Sequence, residues 1–343
     1  MGEYLNGSVL TTSLEENVTD DVILKNTHAL IGSRYQTIAL KAVYAIIGTL
    51  GVFGNGLVCL IFLMQRRSFR SVTNLLILNQ TVIDLFNAFI FLVLRLSPTI
   101  EKLPESILGD IICRLWVSEY IMWSLFIAST MNLVLMSLER YYATCFPVRH
   151  RYHFTAQKAK IGMLFSWLWG FVYQLYWLII RDFKNGVCGL KWSSPTLQKI
   201  MGIFLFLLEY FIPLSAMTFS YVSIILMLRR RGADGQIVSM TFQRAKRNVT
   251  FTLCLVFFFY ILCWTPTEIT YFLYNLGYPY DFGSNTHMVV TVMVLLNMCV
   301  NPIIYTIKYE QFQRHLRRVF CTRCRGNRVG VVVNTVHISQ NIP

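Results

Sequence analysis

Seven apolar stretches, each long enough to cross a bilayer as a helix, constrain this 343-residue chain more than any other feature. Crossing about 30 Å of hydrocarbon takes roughly 20 apolar residues at ~1.5 Å of helical rise each. That ruler places spans near residues 38–64, 72–96, 114–142, 159–180, 199–228, 246–274 and 286–307. Several exceed the minimum, so they tilt or extend past the hydrocarbon. Only 14% of the residues are charged, against roughly a quarter in a soluble protein, which argues against water-soluble domains. The expected fold is an all-α membrane protein, a seven-transmembrane helix bundle over 36–308. A short amphipathic eighth helix follows at 309–322, where Phe312, Leu316, Val319 and Phe320 oppose Arg314, Arg317 and Arg318.

The net charge of +14 does not indicate nucleic-acid binding, because the basic residues are spread over short loops instead of one patch. Arg66, Arg67 and Arg70, then Arg149, Arg151, Lys158 and Lys160, then Arg229, Arg230, Arg231, Arg244, Lys246 and Arg247 mark three loops as cytoplasmic. The loops on the other side hold Glu101, Glu105, Asp110, Asp182 and Asp281 with fewer bases. The N-terminus is therefore expected outside and the C-terminal tail, 323–343, inside. Asn6-Gly7-Ser8 and Asn17-Val18-Thr19 in the polar segment 1–35 fit the N-glycosylation pattern. The first thirty residues hold no apolar core of signal-peptide length, so the first span is expected to target the chain to the membrane itself. Nine cysteines are too sparse for a disulfide scaffold and show no redox or zinc spacing. Cys59, Cys254, Cys263 and Cys299 read as small packing residues. Cys321 and Cys324, which close the eighth helix among basic residues, read either as palmitoylation sites or as free thiols.

Ionisable groups in lipid are costly and so mark function by default. The spans hold few: Asp84, Arg95, Glu139 with Arg140, Glu209 and Glu268. Arg95 lies near enough to a span end to snorkel to water, whereas Asp84 lies mid-span. Pro213, Pro266 and Pro302 each remove a backbone hydrogen bond inside a span and so create a kink about which a helix can swing.

Ordered landmarks on the seven spans carry a resemblance that covers nearly the whole chain. They are Gly54-Asn55, Leu78 with Asp84, Glu139-Arg140-Tyr141 with Pro147, Trp167, Pro213 with Tyr221, Cys263-Trp264-Thr265-Pro266, and Asn301-Pro302-Ile303-Ile304-Tyr305. Together they resemble the rhodopsin-like (class A) family of G-protein-coupled receptors, most of all its peptide-binding branch. The resemblance implies a plasma-membrane receptor that couples to a heterotrimeric G protein, and to arrestin, through Arg140, which pairs with Glu139 at rest. Tyr221 and Tyr305 fit the family's inward-turning tyrosines of the active state. The resemblance also implies a disulfide between Cys113 and Cys188, with the third span bulged or late-starting because Cys113 and Arg140 lie slightly too far apart. Asp84, Ser129, Asn297 and Asn301 are the implied sodium or water site. Met298 stands where a hydroxyl is common, which leaves an ion and a water-linked network as alternatives.

Three departures from the family pattern carry expectations of their own. Lys246 stands where relatives carry an acid that latches onto the arginine, so raised ligand-free signalling is expected. Thr130 and Tyr260 make the connector beside Pro213 more polar than usual, either as a plain hydroxyl pair or as a tuned switch. Met122 replaces the aspartate of amine receptors and Leu295 the lysine of retinal pigments, which disfavours both ligands.

The residues expected to face the ligand are Arg95, Met122, Trp123, Phe126, Glu209, Trp264, Glu268, Tyr271, His287 and Thr291. Glu209 and Glu268 suit a cationic group of a peptide, and Arg95 a carboxylate; the alternative is that the two acids bond to water or backbone or share a proton. An extracellular neuropeptide is the expected ligand. A small charged metabolite or lipid anchored at Arg95, and a non-signalling scavenger receptor, are the rivals. A transporter would need an internal repeat, and an enzyme a catalytic set of side chains; the sequence offers neither.

Overall fold

The computed structural model describes residues 38–64, 71–97, 102–233, 240–282 and 284–320. Asn6, Asn17, Cys321 and Cys324 lie outside the described residues. Seven helices are long and apolar enough to cross a membrane: Ile38–Met64, Val72–Leu96, Ile107–Cys145, Ala156–Ile180, Pro195–Arg230, Asn248–Leu276 and Asn285–Lys308. They form the expected seven-helix bundle.

Side-chain caps set several of the starts. Ser71, Thr155, Ser194 and Ser284 each accept the backbone N–H three residues on, which satisfies one of the donors that a helix N-terminus leaves free. The fifth span starts earlier than expected because Ser194 caps it and Pro195 fills its first position. The third also starts earlier, at Ile107. Asp110, expected in the preceding loop, pairs with Arg114 across one turn at 2.9 Å, and the helix runs through both. A π-helical turn over Cys113–Val117 and a left-handed Glu119 (φ 58°) then re-aim the chain before Tyr120.

Between the fourth and fifth spans lies an antiparallel hairpin, β1 (Arg181–Lys184) and β2 (Val187–Leu190). Its two-residue turn, Asn185-Gly186, has both residues at positive φ (52° and 74°), the geometry that suits a twisted hairpin. Leu103 N–H donates to the Gly186 carbonyl at 2.9 Å. The Cys113–Cys188 disulfide, with a Cα separation of 5.5 Å, ties β2 to the third span.

A second π-helical turn, Leu207–Phe211, sits in the fifth span. Pro213 has no N–H for the carbonyl of Glu209, and the Ile212 N–H reaches back five residues to Leu207.

Polarity is distributed as lipid requires. Phe53, Ile179 and Phe219 face outward, while Asn55, Gln80, Asp84, Asn87, Ser129, Asn132 and Glu139 are buried in the bundle. At the end opposite the hairpin, the helix Glu310–Phe320 turns away after Tyr309. It buries Phe312 against Phe62, with ring centroids 6.5 Å apart.

Gly170 allows the close approach of the third and fourth spans. A Cβ there would lie 2.3 Å from the Ser124 carbonyl oxygen and 2.9 Å from the Ala128 nitrogen. Gly170→Ala is expected to lower the thermal unfolding midpoint, at a cost of roughly 1–3 kcal/mol from overpacking. Gly56→Ala, whose Cβ meets nothing within 4 Å, should leave it unchanged or slightly higher. Thermal scans of the two variants side by side in lipid nanodiscs check this, and equal midpoints would refute it.

Candidate functional site

The hairpin end of the bundle encloses a cavity of about 340 Å³. Of the residues expected there, Arg95, Trp123, Glu209, Glu268, Tyr271, His287 and Thr291 line it. Met122, Phe126 and Trp264 do not; they are buried in the core, with the Phe126 ring edge-on to Trp264 at 5.4 Å and Trp123 5.7 Å from Phe126. Met122 and Phe126 lie on the unbroken helix Tyr120–Cys145 and pack into the core, while Val117, Ser118 and Glu119, just before that helix, take wall positions.

Glu119 changes the charge pattern of the cavity. Its Oε1 lies 2.5 Å from Arg95 Nη1, and the Arg95 guanidinium also lies over Tyr44 at 5.5 Å and Phe91 at 5.9 Å. Arg95 therefore has a carboxylate within its own chain, instead of standing free for one on a ligand. Arg181, from β1, stacks over Trp177 at 5.1 Å, and its Nε has no hydrogen-bond partner. Burial pushes its guanidinium below the usual arginine range, while Glu119, Tyr271 and Tyr176 oppose that shift.

Glu209, displayed by the π turn, accepts a long hydrogen bond of 3.5 Å from Tyr173 Oη. Glu268 is 7% exposed and lines the same cavity within electrostatic reach of Glu209. The ion pairs among the described residues involve neither acid. His287 is held between Tyr280 Oη at 3.1 Å and Thr291 Oγ1 at 3.4 Å.

Glu119, Gln174, Tyr176, Trp177, Arg181, Tyr280 and Phe282 line the cavity but were not expected there. The four-residue spacing of Trp169, Tyr173 and Trp177 marks an aromatic helix face, and Asn185-Gly186 announces the hairpin that brings Arg181 over it.

Below the cavity, Tyr210 Oη and Thr265 Oγ1 are 2.5 Å apart and join the fifth span to the sixth. The buried Tyr260 hydroxyl faces Thr130, as expected of the hydroxyl pair, in a contact short of full hydrogen-bond geometry. Deeper still, Asp84 accepts from Asn301 Nδ2 at 2.8 Å, Ser129 Oγ at 3.1 Å, and Gln80 Nε2 at 3.2 and 3.3 Å. Gln80 was not among the expected residues, and the nearby buried Asn297 is not among the donors to Asp84.

At the opposite end, Glu139 is fully buried at the centre of a charged cluster. Arg140 Nε and Nη2 reach its two carboxylate oxygens at 2.6 and 2.5 Å. Thr73 Oγ1 bonds both partners. His150 Nε2, on the short helix Pro147–His153, comes within 2.8 Å of Glu139 Oε1. Tyr141 packs on Phe219 at 5.4 Å, and Tyr221 stacks on Phe257 at 5.2 Å. Tyr305 is buried with its hydroxyl unpaired. Pro266 and Pro302 lie inside the sixth and seventh helices, and Pro302 packs where a Cβ on Gly54 would stand 2.9 Å from it. The side chain of Lys246 lies outside the described residues.

Comparison with known proteins agrees with this geometry. The sequence model of the family described as 7 transmembrane receptor (rhodopsin family) matches residues 54–305. The zebrafish (Danio rerio) protein "Galanin receptor 2b" is 29% identical, with 90% of this chain and 81% of the relative aligned. Somatostatin receptor type 5 of Bos taurus is 27% identical over 84% of this chain and 77% of its own length. The Allatostatin-A receptor of Bombyx mori is 27% identical over 80% and 78%. With the family match running through all seven spans, from Gly54 to Tyr305, the chain belongs to the rhodopsin family of seven-transmembrane receptors.

Proposed function

We propose that the chain is a neuropeptide receptor of the plasma membrane, with its N-terminus and hairpin outside, which activates a heterotrimeric G protein at the Arg140 end. The carrying observation is the pair Glu209 and Glu268, two acids on the cavity wall that form no ion pair among the described residues. A guanidinium or ammonium group of a peptide would complete them, with charge-assisted bonds stronger than neutral ones. Relatives named as receptors for galanin, somatostatin and allatostatin A, all peptides, support the class of ligand. A metabolite or lipid anchored at Arg95 is disfavoured, because Glu119 already holds that guanidinium.

Binding works by population shift. A peptide seated against the fifth and sixth spans favours the conformer in which they stand closer around its basic group, and only its differential affinity moves the equilibrium. Tyr210 and Thr265 carry that change to Pro266, about which the far end of the sixth span swings out. The groove so opened admits the G protein, and later arrestin, to Arg140 once it leaves Glu139. A scavenger receptor would not need this buried four-group cluster.

The first test is G-protein dissociation in cells challenged with a pooled neuropeptide library. Arg140→Ala should abolish the response at unchanged surface expression. With the active peptide in hand, Glu268→Gln should weaken its potency by roughly 10–100-fold, as expected for a lost charged hydrogen bond of about 1.5–3 kcal/mol. Replacing the peptide's basic residue by a neutral one should cost the same factor and should not add to the variant's loss. Additive losses would remove the acid pair from the reading, and silence towards every peptide in an expressed receptor would remove the peptide.

The Arg140 cluster makes a separate prediction about ligand-free signalling. Thr73 and His150 hold the resting pair in place of a sixth-span acid, so Thr73→Ala and His150→Ala should each raise basal G-protein activation. About 1 kcal/mol of net hydrogen bonding corresponds to roughly a fivefold shift of the equilibrium. Basal signalling unchanged in both variants would show that these two groups do not restrain Arg140.

A further inference from the structure

Asp84 is expected, from the resemblance, to sit in a sodium or water site, but its donors do not fit the ion. Both carboxylate oxygens already face N–H or O–H groups, from Asn301, Ser129 and Gln80. A hard cation needs converging oxygen lone pairs, and Met298, fully buried beside Asn297, offers only a thioether.

Gln80 is the residue that matters, because a side-chain amide can present either its nitrogen or its oxygen. Here the choice is imposed from outside the site. The Trp167 indole has one N–H and no acceptor, and it donates to Asn79 Oδ1 at 3.0 Å. Asn79 therefore turns its Nδ2 to Asn132 Oδ1 at 2.9 Å. Asn132 must then donate, and does so to the Leu76 carbonyl at 3.1 Å and to Gln80 Oε1 at 2.9 Å. With its oxygen committed, Gln80 has only N–H groups left, and they point at Asp84 and at Ser129 Oγ, the latter at 2.5 Å. Asn132 and Gln80 are fully buried, so reversing one amide would set two donors face to face with no water to intervene.

We propose that this one-way relay, from the Trp167 indole through Asn79 and Asn132 to Gln80, takes the place of a cation at Asp84, so that the conformational equilibrium does not respond to sodium. The relay also fixes the second, third and fourth spans to one another at mid-bundle depth. It makes no use of the ligand cavity, and its test needs no ligand.

The experiment is thermal unfolding of the full chain in lipid nanodiscs, in sodium chloride or choline chloride at about 0.15 M, where ionic screening is equal. The unaltered chain should give the same midpoint in both salts. Gln80→Leu, which removes the amide and exposes the carboxylate, should gain a sodium-dependent rise of several degrees, lost again when Asp84→Asn is added. Trp167→Phe leaves Gln80 in place but frees the direction of the amides, and it should gain a smaller rise of the same kind. A sodium-dependent midpoint in the unaltered chain that disappears in Asp84→Asn would overturn the proposal, as would a Gln80→Leu variant as indifferent to sodium as its parent. A response in Gln80→Leu with none in Trp167→Phe would overturn the role of the indole in setting the direction.

Discussion

Lipid offers no hydrogen bonds, so every polar group turned into this bundle has to find its partner on another part of the same chain. The second and third spans carry much of that burden together. Glu119 holds Arg95 near the hairpin, Ser129 and Asn132 serve Asp84 and Gln80 at mid-depth, and Glu139 holds Arg140, Thr73 and His150 at the far end. All three stations reach the second span, at Arg95, at Asp84 with Gln80, and at Thr73. Displacing the third span would therefore leave buried polar groups unpaired along its whole length, at roughly 1–3 kcal/mol for each. That span is a central axis of the bundle's polar contacts.

The disulfide and the hairpin act on the same axis from outside. Cys113 opens the π turn, and Cys188 lies on β2 opposite Phe183. The wall of the cavity formed by Trp177 and Arg181 is therefore fixed relative to Glu119 and Arg95. The cavity is polarised as a result. One side has its charges internally matched through Arg95 and Glu119, while the side built by the fifth and sixth spans holds acids that are not. The unmatched side belongs to the fifth and sixth spans, so a ligand of the proposed kind would bear on the sixth span.

The spans were legible in the sequence because hydrocarbon thickness fixes their length, and the family landmarks were legible because they sit at fixed places on those spans. What escaped did so for identifiable reasons. The start of the third span was misread because Asp110 looks like a loop residue until it is seen to pair with Arg114 one turn on. Met122 and Phe126 were placed in the cavity by helical phase and family position, which do not reveal that core packing closes over them. Glu119 itself was passed over, and Arg95 was left free, because the ion pair joins residues on different helices. Gln80, Asn79 and Asn132 drew no notice because neutral amides do not stand out as costly, although in a dry bundle their direction carries information that a charge does not.

The pattern of polar contacts also explains why the sixth span is the mobile one. Near the hairpin it is tied by Thr265 to Tyr210 and by Thr267 to the Val290 carbonyl at 3.0 Å, on either side of Pro266. At the Arg140 end, its polar holds on other elements among the described residues are those of Asn248, on the Lys308 carbonyl at 2.9 Å and the Glu310 N–H at 3.1 Å. Both are exposed, so water can replace them when they break, and their loss costs far less than the loss of a buried bond. An outward swing about Pro266 therefore gives up two inexpensive contacts and keeps the two near the cavity. A comparable movement of the third span would break the network that holds Asp84, Glu139 and Arg95. Activation by the sixth span is the motion that the distribution of hydrogen bonds leaves open.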